Sequence, residues 1–395
     1  PIARVGMTFP QMKDLDLQGQ KAMLRLDLNV PMENGQITSD ARIKAVIPTI
    51  LAIQEQGGKV IVLSHLGRPN PEAPKASDSL QPVAEKLAQL TGQQVHFEPN
   101  WIESIPDIEN GIVVCENVRF HEGETSNSEA FSKQIASLCD VYVMDAFGAA
   151  HRKHATTYGV ITFVQIACAG PLLTSEIESL SKAMQEPEKP LVAIIGGAKV
   201  SSKLGVIETL AGICDHIIVG GAIANTFLSS AQIETGNSLI ESDMVAVAKR
   251  ILKSNQVNVP LPSDVMVAKE LSQESEAVRK SVADIERDDQ ILDIGPETAK
   301  AYKHIINSAK TIIWNGPLGV FEIDQFSGGT QALALAVAES NSYTLVGGGD
   351  TVAVIEKYGI KDSIDYVSSG GGAFLEFIKS GKLLSLEALS RHAKS

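Results

Sequence analysis

In the second half of this 395-residue chain, apolar runs of strand length repeatedly end in glycine. Ile194-Ile195 leads into Gly196-Gly197, and Ile217-Ile218-Val219 into Gly220-Gly221. Leu345-Val346 leads into Gly347-Gly348-Gly349-Asp350-Thr351, and Tyr366-Val367-Ser368-Ser369 into Gly370-Gly371-Gly372. Glycine at the end of a strand lets the backbone come close to a ligand. Where a helix then starts, its free N–H groups and its dipole favour an anion. Four such clusters in one half of a chain predict a site for a large, multiply charged phosphate.

Amphipathic helical runs alternate with the apolar runs throughout. That pattern predicts an α/β fold of mostly parallel sheets flanked by helices. In the first half the strands fall at Ala22–Leu28, Lys59–Ser64, Ile112–Glu116 and Val141–Met144. In the second half they fall at Leu191–Ile195, His216–Val219, Thr311–Trp314, Tyr343–Val346 and Asp365–Ser368. The run Ala41–Gln56 reads as a helix capped by Asp40 or Ser39. Its stripe is Ile43, Ile47, Ile50 and Leu51, Pro48 should kink it, and Gly57-Gly58 end it.

The length implies roughly two or three domains. Leu172–Met184 reads as a helix and Glu186-Pro187-Glu188-Lys189-Pro190 as a stiff polar connector, so the boundary lies near Pro171–Pro190. The expected plan is a first domain over 1–170, an interdomain helix and hinge over 171–186, and a second domain over 187–375. The amphipathic tail, about 376–395, packs back on the first domain.

A net charge of −13 argues against general nucleic-acid binding and leaves room for a local basic cleft. Cys115, Cys139, Cys168 and Cys214 are scattered with no C-x-x-C, which reads as buried free thiols in a reducing cytoplasm. The N-terminus carries no charged-then-apolar leader pattern, and no apolar run reaches membrane-spanning length.

Ligands of parallel sheets bind at the carboxyl ends of the strands. In the second half those ends are mostly glycine; in the first they are polar and basic. Asp27 and Asn29 follow the first strand, and Ser64-His65-Leu66-Gly67-Arg68 the second. Glu116-Asn117-Val118-Arg119 follows another. Asp145 ends a fourth, with His151-Arg152-Lys153-His154 soon after, and Arg42 opens the helix over Ala41–Gln56. One such arginine is an ordinary surface residue; Arg42, Arg68, Arg119 and Arg152 at the ends of one sheet suit a bidentate grip on phosphate or carboxylate. His65, His121, His151 and His154 lack zinc-like spacing and read as hydrogen-bonding histidines rather than metal ligands.

In the second half, Gly196-Gly197-Ala198-Lys199-Val200-Ser201-Ser202-Lys203 lacks the spacing of a Walker A loop. Lys199 and Lys203 are four apart and would share a helical face, either as a solvated basic patch or as a polyphosphate grip. Asp350 opens the helix Val352–Tyr358 and reads two ways, as an N-cap carboxylate or as a magnesium ligand. Glu322, in Trp314-Asn315-Gly316-Pro317-Leu318-Gly319-Val320-Phe321-Glu322, can accept from ribose hydroxyls. Trp314 and Phe321 read as core.

Taken together and in order, these motifs resemble those of the phosphoglycerate kinase family. The resemblance rests on Arg25-Leu26-Asp27-Leu28-Asn29-Val30-Pro31, Ser64-His65-Leu66-Gly67-Arg68-Pro69, Glu116-Asn117-Val118-Arg119-Phe120 and Ala150-His151-Arg152. The second half adds Gly196–Val200, Trp314–Pro317, Gly347–Thr351 and Gly370–Ala373. It implies two Rossmann-like domains joined by a hinge, and reversible phosphoryl transfer from 1,3-bisphosphoglycerate to Mg-ADP. The implied glycerate ligands are Asp27, Asn29, Arg42, His65, Arg68, Arg119 and Arg152. The implied nucleotide ligands are Gly196, Gly197, Lys199, Lys203, Gly221, Asn315, Glu322, Gly347, Gly348, Gly349, Asp350 and Thr351, with Asp350 also holding Mg²⁺. The partners implied are small molecules only, and the chain is expected to be a cytoplasmic monomer. Leu28, Ala222, Ser369 and Phe374 depart from the family pattern; the last three bear on the nucleotide contacts.

The chemistry agrees with the absence of a His/Asp dyad. A nucleotide phosphate oxygen is already anionic and a carboxylate leaving group needs no proton, so positioning and charge neutralisation suffice. Arg42 and Lys203 are expected on the equatorial oxygens of the transferring group, with backbone N–H groups of Gly371 and Gly372 added. A hinge motion around Pro171–Pro190 would bring Arg42 to Lys203. A nicotinamide dehydrogenase would need a G-x-G-x-x-G after the first strand, which is missing. A non-catalytic phosphate-binding protein would have no chemical reason to keep Arg42, Lys203, Asp350 and Gly370–Gly372 together.

Overall fold

Parallel strands need helical crossovers, and the chain supplies one after nearly every apolar run. The computed structural model describes residues 8–395. The expected start of the first domain, and the first residues of the stretch read as lacking a leader, lie outside them. The described chain divides into two compact units. One comprises residues up to Ile177 together with Lys382–Ser395; the other is Glu178–Gly381. They are called the N-terminal and C-terminal units below. The division falls inside the helix Pro171–Met184, within the stretch 171–186 expected to join the two domains. Residues 376–381, expected with the tail, belong to the C-terminal unit.

The N-terminal unit is built on a six-stranded sheet. Its order across the sheet is Val95–Glu98, Ile112–Cys115, Lys59–Leu63, Lys21–Arg25, Val141–Met144 and Ile166–Ala169, all parallel. The chain starts in the middle with Lys21–Arg25, builds outward on one side, then returns to the other. The helix Ala41–Glu55 runs through Pro48 and buries Ile43, Val46, Ile50 and Ile53 against this sheet. Leu51, expected in its stripe, is exposed, because the buried face follows Val46 and Ile53 instead. The tail helix Leu384–His392 joins this unit through Ser385, whose N–H donates to the Ala150 carbonyl at 3.0 Å and whose hydroxyl donates to that of Thr157 at 2.6 Å.

The C-terminal unit holds a five-stranded parallel sheet in the order His216–Val219, Leu191–Ile195, Thr311–Asn315, Tyr343–Val346 and Tyr366–Val367. Trp314 is fully buried and Phe321 nearly so, as core residues. An antiparallel sheet of Val278–Ser281, Asp264–Ala268 and Gln290–Ile294 was not foreseen in the sequence. Neither were the outer strands Val95–Glu98 and Ile166–Ala169. All four cysteines are free; Cys115, Cys168 and Cys214 are buried and Cys139 partly so.

Candidate active site

In the N-terminal unit the basic residues gather at the carboxyl ends of the strands. Arg42, in the first turn of Ala41–Glu55, donates from Nη1 to Asp27 Oδ1 at 2.9 Å and to the Asn29 carbonyl at 2.8 Å. The Asn29 N–H donates to Asp27 Oδ1 at 3.1 Å, and Asn29 Oδ1 accepts from the Gly67 N–H at 2.9 Å. Arg119 donates from Nη1 to the Gly67 carbonyl at 2.6 Å. Asn117 fixes that loop, accepting from the Arg119 N–H at 3.0 Å and donating to the Leu66 carbonyl at 2.8 Å. Asp27, Asn29, Arg42 and Arg119 thus form one bonded group with the His65–Arg68 loop.

Arg119 is only 7% exposed. Burial, then the nearby charges of Arg152 and Arg25, hold its guanidinium down at about 10, and Arg68 adds to the effect. Its Nε and Nη2 are buried without a partner among the described residues, as is Arg152 Nε. A buried, unpaired guanidinium N–H is costly, and an anion is the chemistry that would satisfy these donors. His65 is pushed far below the ordinary histidine range by burial and by Arg25, Arg119, Arg152 and Arg42. His154 falls to about 4 for like reasons, burial first. Both shifts favour the neutral imidazole. Arg25, absent from the expected ligand set and the last residue of the first strand, reaches this group through His65, its Nη2 lying 3.0 Å from His65 Nδ1.

In the C-terminal unit the glycine clusters do less donating than expected. The N–H of Gly196 is taken by the Asn315 carbonyl at 2.9 Å, that of Gly221 by Leu318 at 3.1 Å, and that of Gly347 by Trp314 at 3.1 Å. A Cβ at Gly196 would lie 1.8 Å from the Pro317 carbonyl oxygen, and one at Gly347 would lie 2.7 Å from the Phe374 ring. These glycines let strand-end loops pack on one another. Gly349 and Gly371 differ: each begins a helix and faces open space. The first-turn N–H groups of Gly349–Tyr358 and Gly371–Ser380 are therefore the donors best placed for phosphate. Gly372 lies exposed in the same turn as Gly371.

Three further expectations change. Lys199 is the N-cap of Val200–Ala211 and lies outside the helix, so Lys199 and Lys203 do not share a helical face. Lys203 instead turns back and donates to the Gly196 carbonyl, beneath Gly197. Asp350 is not an N-cap, because the helix begins at Gly349 with Gly348 as its cap. Thr351 is fully buried; its hydroxyl accepts from the Gly316 N–H at 2.8 Å and donates to the Gly347 carbonyl at 2.9 Å, so it ties loops together. Asn315 does similar work through Nδ2, which donates to the Gly347 carbonyl at 2.7 Å, although its buried Oδ1 has no partner.

Beside these loops lies a cavity of about 350 Å³. Gly197, Gly221, Ala222, Glu322 and Asp350 line it, and the unforeseen antiparallel sheet supplies Val265 and Gln290–Ile294. Its walls are mainly apolar, with carboxylates at Asp293, Glu322 and Asp350, which suits a flat base and a hydroxylated sugar. Burial lowers Lys203 to about 8, and the carboxylate of Asp350 opposes that shift, so the two charges are neighbours.

The family model described as phosphoglycerate kinase matches residues 12–382. The phosphoglycerate kinase of Francisella tularensis subsp. tularensis is 50% identical over 391 residues, covering 98% of this chain and 100% of that protein. The enzyme of Francisella tularensis subsp. novicida matches to the same extent. Among solved structures, phosphoglycerate kinase from Coxiella burnetii aligns with a TM-score of 0.93 at 45% identity, over 98% of this chain and 100% of that one. That from Pyrococcus horikoshii aligns with a TM-score of 0.82 at 31% identity, over 98% and 99%. Together with the two Rossmann-like α/β units and their strand-end loops, these matches establish that the chain belongs to the phosphoglycerate kinase family, the kinases that transfer a phosphoryl group to and from a carboxyl group.

Proposed function

We propose that the two units divide the substrates of the phosphoglycerate kinase reaction, the reversible transfer of a phosphoryl group from 1,3-bisphosphoglycerate to ADP. The N-terminal unit binds the glycerate through Asp27, Asn29, Arg42, His65, Arg68, Arg119 and Arg152. The C-terminal unit binds the nucleotide in the cavity beside Gly197 and Glu322. The observation that carries the reading is Arg119, a buried cation with two donor atoms that no group among the described residues satisfies.

Arg42 spends only Nη1 on Asp27 and Asn29, which leaves Nη2 for an oxygen of the transferring group. Lys203 and the open N–H groups of Gly371 and Gly372 provide the opposing charge and donors. No residue needs to move a proton, since the nucleophile is a phosphate oxygen and the leaving group a carboxylate. With the substrates on separate units, transfer requires the units to close, with movement about residues 171–190, and closure protects the acyl phosphate from water.

Asp350 fits a magnesium site: it is an exposed carboxylate at a helix start, beside Lys203 and the cavity. One carboxylate next to a phosphate site is the donor set Mg²⁺ takes. The ion, when bound with the nucleotide, neutralises phosphate charge. Both half-sites come from one chain, which supports a monomer. The net charge of −13 supports a chain that acts without nucleic acid. We place the reaction in the cytoplasm, whose reducing conditions suit four free cysteines.

The test is a coupled assay with ATP, Mg²⁺ and 3-phosphoglycerate. The wild type should turn over, and Lys203→Ala should lower kcat by about 10²–10³, as for loss of one transition-state donor. Nucleotide binding with no turnover by the wild type would sink the assignment.

A further inference from the structure

Arg25 is the most enclosed cation of the N-terminal unit, 1% exposed. Each of its donor atoms has one acceptor. Nε donates to Thr156 Oγ1 at 2.8 Å, Nη1 to the Leu26 carbonyl at 2.5 Å, and Nη2 lies 3.0 Å from His65 Nδ1. A guanidinium can only donate and does not give up its proton in a protein. The contact with His65 therefore exists only while Nδ1 carries no hydrogen, and the ring proton must sit on Nε2.

Two things keep this arrangement fixed. Thr156 is held by Glu124: its N–H donates to Oε1 at 2.8 Å and its hydroxyl to Oε2 at 2.5 Å, while its carbonyl accepts from the Tyr142 hydroxyl. The Thr156 hydroxyl proton is thus committed to Glu124, and its lone pairs are left to Arg25. His65 is also 5% exposed and faces cations from four elements: Arg25 on its strand, Arg42 on its helix, Arg119 and Arg152 on their loops. A second ring proton would be a fifth charge among them.

We propose that Arg25 is a positioning residue that locks His65 as its neutral Nε2–H tautomer, making it a fixed hydrogen-bond donor to an acceptor oxygen of the bound phosphoglycerate. The inference rests on the assignment of His65 to the glycerate half-site. His65 then neither shuttles protons nor gains charge across the working pH range, and its contribution to substrate affinity is independent of pH.

Long-range ¹H–¹⁵N NMR on the labelled full-length protein, with His65 assigned by its loss in His65→Gln, reads the tautomer directly. Between pH 5.5 and 8.5, Nδ1 should show the shift of a bare ring nitrogen and Nε2 that of a protonated one, and neither should move. A proton on Nδ1, or titration near the ordinary histidine range, overturns the proposal. Arg25→Lys keeps the charge and loses the fork. It should give a mixed-tautomer His65 and raise KM for 3-phosphoglycerate about tenfold, with kcat and KM for the nucleotide nearly unchanged. If Arg25→Lys does not fold, Thr156→Val loosens the same guanidinium and should shift KM in the same direction. A mixed tautomer with wild-type KM in either folded variant refutes the positioning role. Because the NMR readout needs no turnover, an inactive wild type would refute the proposed function while leaving the tautomer result to stand or fall separately.

Discussion

At Arg119 the stability of the chain and the proposed binding of the glycerate pull in opposite directions. Its buried Nε and Nη2 are left unpaired among the described residues. Arg119→Met keeps the length and removes the orphaned donors, so we expect the ligand-free protein to gain about 1–2 kcal/mol in urea unfolding. The same change should raise KM for 3-phosphoglycerate at least tenfold, as expected when a charged partner is lost. Most of this residue-level chemistry was legible, because Asp27, Asn29, Arg42, His65 and Arg119 are polar groups placed just after apolar strands. Arg25 was not, since it lies within a strand and its role depends on Thr156 and His65, residues 131 and 40 positions away. The glycines at the strand ends were legible as a cluster, while the part each plays in the packing was not. Sequence shows that Gly196 and Gly347 lack side chains, and only packing shows that Pro317 and Phe374 fill the space.

Among elements, two contacts join helices that carry chemistry. The first is Phe374, fully buried in Gly371–Ser380 with its ring over Gly347. It pins the helix bearing Gly371 against the loop that leads into Gly349–Tyr358. Gly347→Ala should cost about 1–3 kcal/mol by overpacking, and adding Phe374→Thr should recover part of that in a double-mutant cycle. The second is Asp145, which accepts from the Thr49 hydroxyl on Ala41–Glu55 and from the Leu173 N–H at the start of Pro171–Met184, both at 2.9 Å. Burial raises this carboxyl from 3.8 to about 7 against those hydrogen bonds. The folded chain then holds a proton that the unfolded chain has released across that window. Stability from this group is full below about pH 4 and is lost as pH rises through about 7, by a few kcal/mol at most. Asp145→Asn should flatten the Tm-versus-pH curve there, leaving the share of Asp293, which burial also raises to about 7. The antiparallel sheet was the element that escaped the sequence. Its strands alternate only weakly, and their pairing is settled by contacts made elsewhere in the C-terminal unit.

For the whole molecule, the division of labour predicts separable affinities. Arg42→Ala should lower kcat while leaving the Kd for ADP unchanged, and Lys203→Ala should lower kcat while leaving the affinity for 3-phosphoglycerate unchanged. Binding titrations of each ligand alone, on each variant, check this; a variant that weakens both ligands would contradict the division. The two-unit plan was legible because strand-length runs recur on both sides of Pro171–Pro190. The boundary region was legible too, as the helix and polar connector over 171–190; only the residue at which the helix passes from one unit to the other was not, because helical periodicity runs unbroken from Pro171 to Met184. The thiols give this plan a built-in reporter. Burial pushes Cys139, Cys168 and Cys214 up to about 12, and Cys115 well above its usual value. Folded, they are poor nucleophiles, and the buried Cys115, Cys168 and Cys214 are reached by an alkylating reagent only when the structure around them opens. Cys115, Cys139 and Cys168 belong to one unit and Cys214 to the other. Peptide mass spectrometry of a labelling time course would therefore clock the opening of each half separately, and each substrate should slow the clock of the half that holds it.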